Sequence, residues 1–542
     1  MAGYRRFFLS LIWLIVIGLT VAALRTERAR AQKLPPRWRE EKVVETLYYW
    51  WLLPWKDPNH VACVLKINHP EEPTPDDIYR FCGWDLYKAW SMTPACQAAL
   101  QGGDITTCEG YYLHFVKQEI VSHTVLRVYP PPQVHLSLQN CIPDLPHFRC
   151  PAPVSLQISA EEPLPDAKIT ALNVRIFGQP TRHCAGNVCE LSLPARGQSV
   201  TYSLQITAIS TEKHSNRTIT AKVRLTPAQA GGTVVDVLGE GWRDEGADMC
   251  SQAWEALPPV QHLPDWARTP ADAQGLETQV PYVYLAGRLI ASGVVDAADC
   301  PHGGLESGGV ASPCGLQHAR TAVLAWQNQF DPEIWNAARQ TGIPAVLFKR
   351  LLARESQFWP GKYPRAYEVG FGQLSPAGMD TLLLWDTGLF RQMCNSMLGV
   401  WKCLHGYPAL SSSQRNFLYG SLWVQADLTC SDCDFGIDMQ RVPDSLDLFA
   451  RLLRAHCWQI GQTIRNIAHT APGRIATYED LWRFTIADYN CPDCIYEALL
   501  RTYRDRAQGG PRRMDWEHVR AHFPAGCEAT LDYVEDILPP TK

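Results

Sequence analysis

The sequence predicts a multidomain α+β protein: a membrane segment, a Cys-rich mainly helical module, a β-sandwich and a mainly helical C-terminal domain. Three observations lead there. Residues 7–24 form an uncharged, mostly apolar run. Between residues 133 and 227 apolar side chains alternate with period two, as half-buried strands require. From about residue 325 onward they recur at helical spacing, in a stretch that holds nine tryptophans. A chain of 542 residues is long enough for about three or four domains, each with its own core. A formal charge of −5 without basic runs gives no electrostatic case for nucleic acid. Any polymer partner would be held by hydrogen bonds and stacking.

The first element, residues 1–31, reads as a signal anchor or a signal peptide. Arg5 and Arg6 precede the apolar run, which is long enough for a short span, and Ala29-Arg30-Ala31 has the small-x-small form of a cleavage site. Arg25, Arg28, Arg30 and Lys33 follow the run, and by the positive-inside rule they favour a cytoplasmic body. Nineteen cysteines in closely spaced pairs outweigh that rule, because such pairs belong to an oxidising compartment. The chain is therefore expected to be exported, either anchored by this single segment or secreted.

Residues 32–129 read as the Cys-rich, mainly helical module. Cys63, Cys82, Cys96 and Cys108 form a set of four, residues 78–90 have helical period, and Tyr48, Tyr49, Trp50, Trp51 and Trp55 are expected in its core, with a membrane-interface belt or a sugar platform as the other readings. Pro130-Pro131-Pro132 marks a boundary. Residues 130–228 then carry about seven short alternating segments, among them Val154-Ser155-Leu156-Gln157-Ile158, which predict an immunoglobulin-like β-sandwich with local pairs Cys141 with Cys150 and Cys184 with Cys189. Residues 229–324, rich in Gly, Ala, Pro and Asp, read as a linker region in which Cys300 and Cys314 can close a bridge. Its Gly303–Gly309 stretch lacks the Gly-Lys-Ser/Thr ending of a phosphate loop, and no cofactor is expected. The cysteine total is odd, so at least one thiol is free or pairs between chains, which allows an intermolecular disulfide or a cell-envelope protein partner. Cys430-x-x-Cys433 and Cys491-x-x-Cys494 could supply four thiolates to zinc, but their separation is long for a zinc ribbon, so bridges are expected and no metal.

Residues 325–542 carry the chemistry. Thr341-Gly342-Ile343-Pro344 stops one helix and starts another, whose Val346, Leu347, Leu351 and Leu352 share a face and whose end carries Glu355-Ser356. A carboxyl group there, at the negative end of the helix dipole and beside Phe358 and Trp359, is expected to have a raised pKa, as a general acid needs at neutral pH. Eighteen residues on lies Gln373 in Gly370-Phe371-Gly372-Gln373-Leu374, followed by Ser375-Pro376-Ala377-Gly378, and further on lies Ala487-Asp488-Tyr489-Asn490.

These three motifs, in this order and behind the helix 334–344, resemble the soluble-type (family 1) lytic transglycosylases, whose catalytic domain shares its fold with goose-type lysozymes. The resemblance covers the last two-fifths of the chain and implies a mainly α lysozyme-like domain acting on peptidoglycan glycan strands. It implies Glu355 as the catalytic acid and base at the bond between N-acetylmuramic acid and N-acetylglucosamine, leaving 1,6-anhydro ends. Ser356, Gln373, Tyr489 and Asn490 are implied to bind and orient substrate, and Trp359 is the tryptophan expected to stack on sugar. Cys491-Pro492-Asp493-Cys494 departs from the family's third motif, where a small residue and Gly usually follow. Asp488 and Glu368 are candidate second carboxylates for a hydrolytic outcome, each with an ordinary solvated position as its default. An inactive wall-binding or scaffold protein is the reading from another class.

Overall fold

The computed structural model describes residues 37–542 except 213–214, 229–230, 243–247, 364–366, 508, 510–512 and 540–542. The membrane segment expected at residues 7–24 lies outside the described residues, and among those described no helix is long and apolar enough to cross a membrane. The described residues are 44% helix and 25% strand, and strands extend well beyond the region where the sequence predicts them.

The Cys-rich module is the first correction, because it is built on a sheet and not mainly on helices. Strand β1 (Trp38–Pro54) pairs antiparallel along its whole length with β3 (Tyr111–Val128), and β2 (Cys63–Ile67) adds to its inner end. Most of this ribbon is wet on both faces, so its sequence lacks the alternation that betrays a half-buried strand. The helix α1 (Pro75–Ser91) starts at a capping box in which the Thr74 hydroxyl accepts from the Asp77 backbone N–H. Cys63–Cys82 ties α1 to β2. The module's small core of Trp50, Leu52, Leu65, Ile67, Ile78, Tyr79 and Tyr87 is completed by Val424 from the C-terminal domain.

The central sandwich is also revised. Strands β4 (Gln133–Gln139), β7 (Val154–Glu161) and β10 (Val188–Leu193) make a three-stranded sheet. It faces a seven-stranded sheet of β5 (Ile142–Asp144), β6 (His147–Cys150), β8 (Ile169–Ile176), β9 (Arg182–Ala185), β11 (Val200–Ser210), β12 (Arg217–Pro227) and β13 (Thr233–Gly239) in the order β5-β6-β13-β12-β11-β8-β9. In place of the expected immunoglobulin-like arrangement, three strands oppose seven, and β13 comes from the segment read as a linker.

The rest of that segment belongs to the C-terminal core. Helices α2 (Met249–Trp254), α3 (Val283–Ala291) and α4 (Pro313–Asn328) bury Trp254, Leu285, Leu289 and Trp326 in one cluster with the residues around Glu355. Cys250–Cys457 fixes α2 to α9 (Val442–Ala468), and the Trp254 indole donates to the Cys457 carbonyl at 2.9 Å. Around α9 pack α5 (Asp331–Thr341), α7 (Pro376–Trp385), α8 (Ser412–Ala426) and α10 (Tyr478–Asn490), while α6 (Ala345–Ser356) packs on α5, and α11 (Glu528–Ile537) on α6 and α10. Thus the unit that holds the three motifs begins well before residue 325, because a Gly- and Pro-rich composition conceals short helices.

Candidate active site

Glu355 is positioned by the two ends of α6. Gly342 at φ 69° closes α5, Pro344 opens α6, and Leu347, Phe348, Leu351 and Leu352 are fully buried. Buried Lys349 pairs with Asp331 at 2.6 Å and donates to Asn328 Oδ1 at 2.7 Å, locking α6 to α5. Gln357 and Phe358 adopt φ values of 48° and 62°, which end the helix beyond the Glu-Ser pair. Glu355 therefore projects from the last turn, where unpaired carbonyls disfavour a negative charge.

The surroundings of its carboxyl group set its proton affinity. Burial pushes the Glu355 pKa up to about 7, the nearby Glu368 charge pushes the same way, and a hydrogen bond from Tyr533 opposes them. Tyr533, on α11, donates its hydroxyl to Glu355 Oε1. The Gln373 side-chain amide donates to the Glu355 backbone carbonyl, so the second motif grips the first through its main chain.

The second motif follows a hairpin of β14 (Gly361–Tyr363) and β15 (Glu368–Gly370). Gly372 lies against α9 so closely that a Cβ there would sit 2.4 Å from Phe449 Cδ1 and 2.7 Å from the Tyr489 hydroxyl. That hydroxyl donates to the Gly372 carbonyl at 2.7 Å and so links the second motif to the third. Burial raises the Tyr489 pKa well above its ordinary value, with the charges of Glu355 and Glu368 adding to the effect. Gly372→Ala is expected to destabilise the fold by about 1–3 kcal/mol, a cost that denaturant titration would measure. An alanine variant with unchanged stability would contradict this packing.

The structure brings together Glu355, Gln373, Tyr489 and Glu368, but other expected site residues are elsewhere. Ser356 is buried and its hydroxyl bonds back to the Leu352 carbonyl at 3.3 Å, within α6. Trp359 is 3% exposed and stacks on Trp326 with ring centroids 4.9 Å apart, so it is core and not a sugar platform. Asn490 is exposed at the end of α10 and accepts from Thr530 at 2.8 Å. Asp488 is neither a solvated turn residue nor an available second carboxylate: it is buried and bonded to His456 at 2.7 Å and Gln459 at 3.3 Å. Glu368 is half-buried, with its pKa raised by burial. Tyr533 is the site residue that sequence reasoning missed, and no motif surrounds it.

Eight bridges occupy sixteen cysteines, including Cys430–Cys433, whose sulfurs are therefore not thiolate donors to zinc. The remaining three, Cys491, Cys494 and Cys527, lie together, with Cys494 in contact with both others. One sulfur forms one disulfide, so the odd thiol belongs to this trio.

Compared with family models, curated proteins and solved structures, the chain matches none of them.

Proposed function

We propose that this chain is an exported, peptidoglycan-cleaving lytic transglycosylase with Glu355 as its single acid and base. The observation that carries the reading is the Glu355 carboxyl, poised near neutrality at the meeting point of three separate motifs. Protonated Glu355 would give its proton to the glycosidic oxygen as the bond from that oxygen to the muramyl C1 breaks. The substrate's acetamido oxygen would stabilise C1 meanwhile, and for that reason one enzyme carboxylate suffices. Glu355, now a carboxylate, would take the proton of the C6 hydroxyl as O6 bonds to C1 and closes the 1,6-anhydro ring. The alternative is a hydrolase, in which Glu368 activates water; its place beside Glu355 favours this reading, while its raised pKa leaves it less ionised than an ordinary glutamate and so less available as the base.

The disulfides support an oxidising compartment, and tethering or secretion through residues 7–24 is part of the proposal. The partner is the glycan strand, with the membrane at the N-terminus.

The pH dependence of turnover tests the assignment. Activity should fall as pH rises through about 7, where Glu355 loses its proton. Tyr533→Phe removes a hydrogen bond that favours the charged carboxylate, so it should move that limb to higher pH. A limb that stays in place would exclude Tyr533 from tuning the acid. Linkage has a matching sign in stability. The folded pKa exceeds the ordinary 4.5, so the folded state holds the extra proton, and its stabilisation is complete below about 4.5 and lost as pH rises to about 7. Glu355→Gln should consequently be more stable than the wild type at pH near 8, by up to about 3 kcal/mol, and not at pH near 4, as denaturant titrations would reveal.

A further inference from the structure

A groove of about 790 Å³ lies between the Cys-rich module and the C-terminal domain, apart from Glu355 and unused by the chemistry above. Its walls come from α1, α8, the turn before β15 and the start of α7. Two other cavities of similar size, near residues 130–134 and 301–314, contain none of the motif residues.

The groove is lined with aromatic rings and is rigidly built. Gly83, at φ 80°, kinks α1 and releases Trp84 from the regular helix, leaving it 42% exposed on the groove wall. Trp423 of α8 meets Trp84 edge to face at 6.4 Å. Tyr419 and Tyr367 add two more rings, the latter 68% exposed, and Lys88 is exposed on the wall formed by α1. The two walls are held together across the seam. Tyr79 donates to the Phe417 carbonyl at 2.9 Å, Ser421 donates to Asp76, and Ser431 donates to the Thr93 carbonyl at 2.9 Å. Gly420 allows this contact, since a Cβ there would meet the Tyr79 hydroxyl at 2.0 Å.

The groove also adjoins the candidate active site along the chain. Tyr367 immediately precedes Glu368, whose charge acts on Glu355, and Pro376 opens α7 just after the Gln373 motif. Rings with exposed faces suit the C–H faces of sugars, and a lysine suits a carboxylate substituent. We propose that this groove is a remote subsite for the same glycan strand, binding N-acetylated sugars that carry carboxylates, with one wall supplied by the Cys-rich module. The inference rests on the glycan-cleaving reading of Glu355. It assigns that module a part in binding, through Trp84 and Lys88 of α1.

The test uses the full chain and its Trp84→Ala and Trp84→Phe variants on long peptidoglycan strands and on a short muropeptide tetrasaccharide, together with co-sedimentation on insoluble peptidoglycan. Trp84→Ala should raise KM for long strands about tenfold, a loss of about 1.4 kcal/mol. It should leave kcat and short-substrate cleavage unchanged, and Trp84→Phe should restore most of the loss. A wild type that cleaves, with the same KM in Trp84→Ala, would overturn the groove and leave the Glu355 reading intact. A wild type that does not cleave, but whose co-sedimentation falls in Trp84→Ala, would overturn the Glu355 reading and support the groove. Failure of both cleavage and co-sedimentation would overturn both.

Discussion

Replacing Glu355 by Gln should lower glycan cleavage about a thousandfold while leaving binding to peptidoglycan intact. General acid–base catalysis contributes about 10²–10⁴ in rate, and in the proposed mechanism one group serves both halves of the reaction. The substitution is nearly isosteric, and the amide can still accept from Tyr533, so the Gln373 grip on the backbone and the end of α6 should persist. Circular dichroism and thermal melting would verify the fold. Retention of more than about a tenth of the activity would remove Glu355 from the acid's role and direct attention to Glu368. Equal loss of binding and cleavage would instead indicate a damaged site.

The second large effect concerns stability. Removing the Cys250–Cys457 bridge through a Cys250→Ala, Cys457→Ala double variant should cost about 4 kcal/mol, because the bridge closes a loop with a sequence separation of 207. Both sulfurs are fully buried, so alanine leaves a small cavity but no unsatisfied polar group. The loss should reach the candidate site, since α9 carries both Cys457 and the Phe449 ring beneath Gly372. Denaturant titration of both proteins without reductant, where the other bridges stay closed, should show this difference as a lower midpoint for the double variant. A cost below about 1 kcal/mol would mean that residues 249–254 are held by packing alone.

Local patterns made one part of this protein legible. The stop at Gly342, the start at Pro344 and the apolar face of α6 are short-range signals, and they place Glu355 at a helix end in the structure as in the sequence. The links among Glu355, Gln373 and Tyr489 were implied only by motif order, and the contacts that make them are a side-chain amide on a main-chain carbonyl and a hydroxyl over a glycine. Tyr533 was not legible, because it reaches Glu355 from 178 residues away on a helix with no motif. Trp359 was misplaced for a related reason: an aromatic after a helix end can face a cleft or a core, and stacking on Trp326 decides for the core. Asp488 shows the same ambiguity, since its neighbours in sequence do not reveal the buried His456 beneath it.

The other differences lie in elements that break the periodicity rules. The β1–β3 ribbon exposes both faces, so charged residues such as Glu40, Glu41, Lys117 and Glu119 interrupt any alternation. Residues 249–328 fold as short helices and single turns around Trp254 and Trp266, and a Gly- and Pro-rich composition is compatible with that packing as well as with a linker. In both places tertiary contact determines the structure.

The most direct test of the central claim is mass spectrometry of the soluble products released from purified peptidoglycan by the wild type and by Glu355→Gln. The account predicts anhydro-muropeptides, one water lighter than hydrolytic products, from the wild type and their disappearance in the variant. Reducing-end muropeptides would contradict the transglycosylase chemistry, and no product from a folded wild type would contradict glycan cleavage itself.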